Sequence, residues 1–308
     1  MIPGITTDYG ATQLSCDKAG LTGIENFVGG VSNGEIGISV MRYTNPLTKS
    51  LYWQKVWFFL KNDVQFTMIS NITSTSGAPV ISVLDQRRRD GAVFVDDGAE
   101  LLATSQSILD STSLWHGDVG YVFPELSDGD ILHFNVGERT GNWTAIGIST
   151  QPPVTVDLFT AWIEHSPLTK SMSYIMLPGV NFNEFLAKRV QLALQCVSND
   201  GSISAIYDET HKTAMVVFWQ QDGGSVTITP SEFAALTISS SGNTAIIYHF
   251  DDAAIFVSDP SQSLAAAEIT LSLGPGEKPP HWGPRQYRSF IIELPSSGLA
   301  GSSVHIQL

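Results

Sequence analysis

Several things are scarce in this sequence. Only 15% of its 308 residues are charged, only two are cysteine, and 16 basic residues face 30 acidic ones, for a net charge of −14. A surface so short of Lys and Arg excludes nucleic acid as a partner, because phosphate binding needs positive charge. The same shortage opposes anionic membranes and acidic polysaccharides unless a local basic patch compensates. The clearest such patch is Arg87-Arg88-Arg89. Cys16 and Cys196 leave two readings open: buried thiols, or one long-range bridge in a secreted protein. No apolar run is long enough to cross a membrane. The N-terminus, MIPGITTDYG, has neither a basic n-region nor an apolar h-region, so no secretory leader is expected in it. Met1 is then either the native start of a cytosolic chain or the first residue of a piece of a longer secreted one. The triplets Asn71-Ile72-Thr73 and Asn142-Trp143-Thr144 are glycosylation sequons and lean toward secretion.

Helical periodicity is scarce too; what the chain has instead is strands. Val56-Trp57-Phe58-Phe59-Leu60 is a continuous apolar run, too short for an ordinary helix, and reads as a strand buried on both faces. Lys61-Asn62-Asp63 supplies a turn. Val64, Phe66 and Met68 then alternate with Gln65 and Thr67, the period of a strand with one wet face. Similar segments recur at Val80–Leu84, Ala92–Val95, Leu114–Pro124, Leu132–Val136, Val156–His165 and Met172–Leu177, each bounded by turn residues. Gly137–Gly141 reads as a turn into a strand carrying Trp143. Asn183–Gln195 is the single helical stretch, with Asn183 as cap and Phe185, Leu186, Arg189 and Val190 at helical spacings. A domain boundary is placed there, giving domains 1–190 and 191–308. Beyond it come Ile203–Tyr207, Met215–Trp219, Ser225–Ile228, a hairpin over Ala245–Val257 turning at Asp251-Asp252, Glu268–Leu273, Ser289–Leu294 and Ser302–Leu308. The fold class is all-β, built of stacked antiparallel sheets.

Few motifs carry chemistry. Gly30-Val31-Ser32-Asn33-Gly34 matches a nucleophile elbow, but that motif needs a helix after the serine, and here Glu35–Met41 alternates like a strand. The seven histidines have no zinc-type spacing. His165 sits in an apolar strand and reads as a satisfied core residue. Asp128-Gly129-Asp130 begins like a calcium loop, yet its twelfth position is Arg139, so it reads as a turn. No cofactor and no metal is expected.

A set of segments then stands out in order: IPGITT at 2–7, NFVGGVSNGEIG at 26–37, KVWFFLKNDV at 55–64, GDVGYVFP at 117–124, GNW at 141–143, AWIEH at 161–165 with YIMLPG at 174–179, and VSDPSQ at 257–262. This ordered set resembles polysaccharide lyase family 8, the family of hyaluronate, chondroitin and xanthan lyases. The resemblance implies a supersandwich of β-sheets, galactose mutarotase-like, followed by a smaller C-terminal β-sandwich. It also implies that the residues performing β-elimination lie on a helical toroid preceding the IPGITT segment, so no catalytic residue is expected from this chain alone. Some family members send a tryptophan to the substrate cleft from the loop after IPGITT; here Ala11–Asn26 holds no aromatic residue.

The function expected is therefore carbohydrate binding, lectin-like and non-catalytic. Two alternatives stand beside it: the scaffold part of a longer lyase, or a structural protein that hides apolar sheet surface by forming homo-oligomers. Sugar sites combine an aromatic face with a few polar groups. The candidates for that role are Trp53, Trp115, His116, Tyr121, Trp143 and Trp282, with Arg87 as the charged partner, and Trp282 is expected to be exposed in its proline-rich loop. Trp57 and Trp162 are assigned to core packing.

Overall fold

Twenty-four strands and one α-helix make up the computed structural model, which describes residues 1–308 except 13–21, 97, 102–104, 125, 127–129 and 146. Cys16, Asp97, Asp128 and Gly129, and most of the Ala11–Asn26 stretch, lie outside the described residues. Cys196 is exposed.

Four antiparallel sheets form. The first has five strands in the order β1 (Thr6–Asp8), β6 (Val80–Arg88), β13 (Val154–Glu164), β12 (Ile131–Gly141) and β9 (Ser105–Leu109). The second has nine: β2 (Val28–Ser32), β3 (Gly37–Thr44), β4 (Leu51–Leu60), β5 (Val64–Ser74), β14 (Met172–Pro178), β11 (Val119–Val122), β10 (Ser113–His116), β7 (Val93–Val95) and β8 (Ala99–Glu100). The third orders β15 (Leu194–Asn199), β16 (Ile203–Asp208), β17 (Thr213–Phe218), β20 (Ala245–His249), β21 (Ala254–Ser258) and β24 (Val304–Gln307). The fourth orders β18 (Gly224–Ile228), β19 (Leu236–Ser240), β22 (Ala266–Leu273) and β23 (Tyr287–Glu293).

By their contacts the residues divide into two units. One comprises Met1–Ile24, Tyr43–Trp53 and Asn71–Arg189; the other comprises Glu25–Arg42, Gln54–Ser70 and Val190–Leu308. Inside the first unit the five-stranded sheet turns one face inward. Leu132, Phe134 and Val136 of β12 and Phe159, Ala161 and Ile163 of β13 are buried there, every second residue, as the pleat requires. Two contacts tie that face to the opposing strands: the Tyr121 hydroxyl donates to the Leu84 carbonyl at 3.0 Å, and the His116 ring lies 4.1 Å from that of Phe159. Inside the second unit the six- and four-stranded sheets enclose a core that includes Ile246, Tyr248, Ile255, Ile238, Ile269 and Trp282.

Local structure departs from the sequence expectation at a few places. The run Val56–Leu60 is not buried on both faces: Val56 and Phe58 are fully buried, Trp57 is half-buried and Phe59 is 42% exposed. The turn at Lys61–Asp63 is present, and Asn62 and Asp63 adopt positive φ there. Gly137–Gly141 continues β12 instead of turning, so Trp143 lies in a short 3-10 turn, Trp143–Ala145. The helix α1 covers Phe182–Arg189, shorter than the pattern suggested, and Gln195 belongs to β15. Its cap is Asn181, not Asn183: the Glu184 amide donates to Asn181 Oδ1 and the Asn181 amide donates to the Glu184 carboxylate, each at 3.0 Å.

The helix is seated by a close approach. A β-carbon on Gly120 of β11 would stand 2.1 Å from the Phe185 ring, so glycine there is what lets Phe185 bury fully. Gly120→Ala is expected to lower stability by about 1–3 kcal/mol through overpacking. Phe185→Ala alone is expected to cost about 3–5 kcal/mol. Urea unfolding of the double variant should show less than the sum of the two, since the truncated side chain no longer meets the added methyl.

Candidate functional site

The alternation that buries one face of β12 and β13 presents the other. His133 and Asn135 of β12 stand beside Trp162 and Thr160 of β13, and Thr160 and Leu158 in turn stand beside Gln86 and Arg88 of β6. These rows floor a groove of about 700 Å³. Trp162, Thr160, Leu158, Asn135, Gln86 and Arg88 line it, and Trp143, Arg139 and Asn142 form its far end.

The floor is held by specific contacts. The Trp162 indole stacks on the His133 imidazole, with centroids 5.2 Å apart and planes 5° from parallel. His133 Nδ1 meets the Ser107 hydroxyl at 2.8 Å, and the Glu164 carboxylate lies 3.1 Å from its Nε2. Arg139 donates to Asn135 Oδ1 and, at 2.9 Å, to the Glu138 carbonyl. Asn142 Oδ1 accepts from both the amide and the hydroxyl of Thr144, at 3.0 and 2.7 Å, which fixes the turn carrying Trp143. Trp143 itself is 58% exposed. Arg88 pairs with no carboxylate among the described residues. The lining includes two guanidinium groups and no Asp or Glu, in a chain whose net charge is −14. An aromatic face, amide and hydroxyl groups, and local positive charge together can hold a polyhydroxylated ligand that carries acidic groups.

Of the seven residues singled out from sequence, Trp143 lies on this groove. The other six are engaged elsewhere. Trp53 is buried, stacks on Tyr43 at 4.9 Å and donates its indole N–H to the Thr6 carbonyl at 3.1 Å. Trp115 packs against Phe94 and Phe182 and donates to the Val180 carbonyl at 2.9 Å. Tyr121 is buried, and burial raises its hydroxyl well above the ordinary tyrosine value. Trp282, expected at the surface, is fully buried; its N–H reaches the Arg285 carbonyl at 2.6 Å and the Arg288 guanidinium lies over its ring. Arg87 grips Asp85 and donates to the Gly117 carbonyl at 2.8 Å, so of the arginine triplet it is Arg88 that faces the groove. Trp53, Tyr121 and Trp282 are thus buried, while Trp115 and Arg87 are half-buried. Trp162, assigned to the core from its apolar neighbours, is half-buried and lines the groove. The signal was present in its own strand: Thr160, Trp162 and Glu164 share one parity, and two of the three are polar.

The remaining motifs fall as follows. Ser32 ends β2, and β3 follows through a tight turn with no helix, so the nucleophile geometry is not formed. His165 is buried and its Nε2 meets the Ser82 hydroxyl at 2.7 Å. Among the described residues no group of three His, Cys, Asp or Glu is placed to hold a metal ion.

Known proteins resemble this chain over most of its length. The description "polysaccharide lyase family 8, super-sandwich domain" matches residues 1–189, and the family's C-terminal β-sandwich domain matches 195–268. A chondroitinase-AC of Pedobacter heparinus is 29% identical over 224 residues, 71% of this chain and 31% of the relative. A xanthan lyase of Bacillus sp. is 28% identical over 184 residues, 54% of this chain and 19% of the relative. The chain thus spans less than a third of the length of these curated relatives. Among solved structures, a chondroitinase AC lyase described in enzyme–oligosaccharide complexes superposes with a TM-score of 0.83 at 25% identity, covering 99% of this chain and 43% of that one. A Paenibacillus xanthan lyase, at 21% identity and a TM-score of 0.80, covers 99% of this chain and 30% of its own and shares the fold.

His116 is better explained as part of the scaffold. It is 1% exposed, its Nε2 accepts the Asp90 amide at 3.1 Å, and its buried Nδ1 has no hydrogen-bond partner. Burial, and next the Arg87 guanidinium, push its pKa from 6.5 down to about 4. The unfolded chain takes up this proton near 6.5 and the folded chain only near 4, so the contribution is intact above 6.5 and is lost as pH falls through that window. The loss amounts to about 3 kcal/mol. His116→Gln keeps an acceptor for Asp90 without the titration. Its urea-unfolding stability should vary less between pH 6.5 and 4 than that of the parent; equal slopes would show that His116 is not the group responsible.

Proposed function

The chain belongs to polysaccharide lyase family 8, and on that premise we propose that it binds an acidic polysaccharide along the outer groove of its five-stranded sheet, in a non-catalytic, lectin-like role. One observation carries this reading: Trp143, Trp162, Arg88 and Arg139 line a single groove that holds no carboxylate. A uronate or sulfated sugar would set its apolar ring face on Trp143 and direct its charge to Arg88. Relatives named for their action on chondroitin and xanthan support the class of ligand. The two sequence-level domains, 1–190 and 191–308, then divide the work into a groove-bearing part and a C-terminal sandwich.

A second reading is favoured by length. Because the chain spans less than half of each of these relatives, it also fits the β-scaffold portion of a longer lyase, with the groove as a holding surface beside chemistry carried by other residues. Both readings expect no unsaturated uronate, whose ultraviolet absorbance would report elimination, from the chain alone. They differ at the gene: the scaffold reading requires a helical toroid encoded upstream in the same reading frame, and the lectin-like reading does not.

Titration calorimetry with chondroitin and xanthan oligosaccharides tests the groove. Trp143→Ala is expected to weaken binding about tenfold, the effect of losing ~1.5 kcal/mol of aromatic contact. Arg88→Ala should weaken acidic oligosaccharides about two- to fivefold, as befits one exposed ion pair, and should flatten the dependence on salt. Both side chains are exposed, so melting temperatures should stay unchanged. Parent-like binding by Trp143→Ala would remove the groove from consideration.

A further inference from the structure

A second concave site lies within the other unit, on the outer face of the six-stranded sheet. It measures about 580 Å³. Phe256 of β21 and His305 of β24 are directly paired across the sheet and stack, with centroids 4.5 Å apart and planes 9° from parallel. His249 of β20 meets the Phe256 ring edge-on at 6.0 Å. The Asp251-Asp252 turn closes one side of this aromatic ladder, and Asn33, Glu35 and Lys61 close another.

The site is pre-organised by a chain of hydrogen bonds. Asn33 Oδ1 accepts the amides of Glu35 and Ile36, both at 2.9 Å, which leaves its Nδ2 to donate to His249 Nε2 at 3.0 Å. His249 is thereby held neutral with its proton on Nδ1, directed to the Thr213 hydroxyl at 3.1 Å, and that hydroxyl donates to the His211 carbonyl at 2.8 Å. Burial lowers the His249 pKa, in keeping with this arrangement. His211 is fixed in turn by Asp208 at 2.7 Å. Lys61 pairs with Glu35 at 3.2 Å and Lys212 reaches Asp251 at 3.5 Å. The Asp252 carboxylate and the His305 ring nitrogens have no hydrogen bond among the described residues.

We infer that this pocket is a binding site for an uncharged sugar, separate from the acidic-glycan groove. Three carboxylates in the lining repel a uronate or sulfate. Free acceptors on the Asp252 carboxylate share the lining with the remaining donors of Lys61, paired with Glu35, and of Gln307, whose side-chain amide also donates to the Asp252 carbonyl; such a mixture suits hydroxyl groups, which both donate and accept. The Phe256–His305 stack supplies a flat surface for the apolar side of a sugar ring. An amine would use only the acceptors and leave the donors idle.

The test uses the intact chain with isotope-labelled histidine, followed by NMR at neutral pH. The probes are methyl β-glucoside, methyl β-galactoside and diacetylchitobiose, with glucuronate as the charged control. At least one neutral probe should move the His305 signal saturably while glucuronate does not. Asp252→Asn should abolish the saturable shift, and His305→Ala should abolish retention on the corresponding neutral-sugar resin. Both positions are exposed, so melting temperatures serve as the check on folding. No response to any neutral probe, an equal response to glucuronate, or full binding by Asp252→Asn would each overturn the proposal. This outcome is independent of acidic-glycan binding at Trp143, because the ligands and the reporting groups differ.

Discussion

The eleven-residue antiparallel pairing of β12 with β13 is the constraint on which the groove depends. A pleated strand points successive side chains to opposite faces, so a pairing that puts Phe134 and Ala161 in the core must put Asn135, Thr160 and Trp162 outside. A slip of one residue would bury Asn135 and expose Phe134. Fixing the core thus fixes the row of polar and aromatic groups that floors the groove. The register shift between Ala161 and Trp162 against β6 is what brings Gln86 and Arg88 into line with Thr160 and Leu158. The groove surface is the reverse side of a packing solution.

The strands and their order along the chain were legible because turn residues and period-two alternation are local signals. The destination of each tryptophan was not. An indole is apolar with a single donor, so it suits the core whenever a carbonyl lies within reach. Thr6, Val180 and Arg285 supply that carbonyl to Trp53, Trp115 and Trp282; the first two partnerships depend on how the chain folds back on itself, and the third closes within the loop that carries Trp282. Trp143 differs because β12 runs two turns of pleat beyond the core edge before the chain reverses. Trp162 follows the parity of its strand and not the apolar character of its neighbours, which puts it on the groove. The helix cap was misplaced by two residues because Asn181 and Asn183 both precede a helical pattern, and only Asn181 has a glutamate three residues on to complete the reciprocal pair.

Charge was the least legible property, since net charge averages over surfaces that act separately. The chain is acidic overall, yet its arginine triplet is sorted by the alternation of β6. Arg87 turns to Asp85 and the Gly117 carbonyl, Arg89 lies 4.0 Å from Asp157, and Arg88 faces the groove unpaired with any described carboxylate. In the second unit the reverse holds: carboxylates gather at the Asp251-Asp252 turn and at Glu35, beside an imidazole kept neutral by Asn33.

This sorting also sets which contact should govern affinity and which should govern selectivity. An exposed ion pair is screened by salt and contributes at most about 1 kcal/mol, so Arg88 cannot by itself hold a polymer. An aromatic face removed from water contributes at roughly 25 cal/mol per Å² and is insensitive to the sign of the ligand's charge. Under the proposed function, Trp143 and Trp162 would therefore decide whether a sugar ring stays, and Arg88 and Arg139 which ring is preferred. A long polysaccharide repeats its acidic group, so small preferences at one groove multiply along the polymer as neighbouring units re-engage. A shallow, partly solvated surface of this kind suits holding and sliding along a chain better than gripping a single sugar.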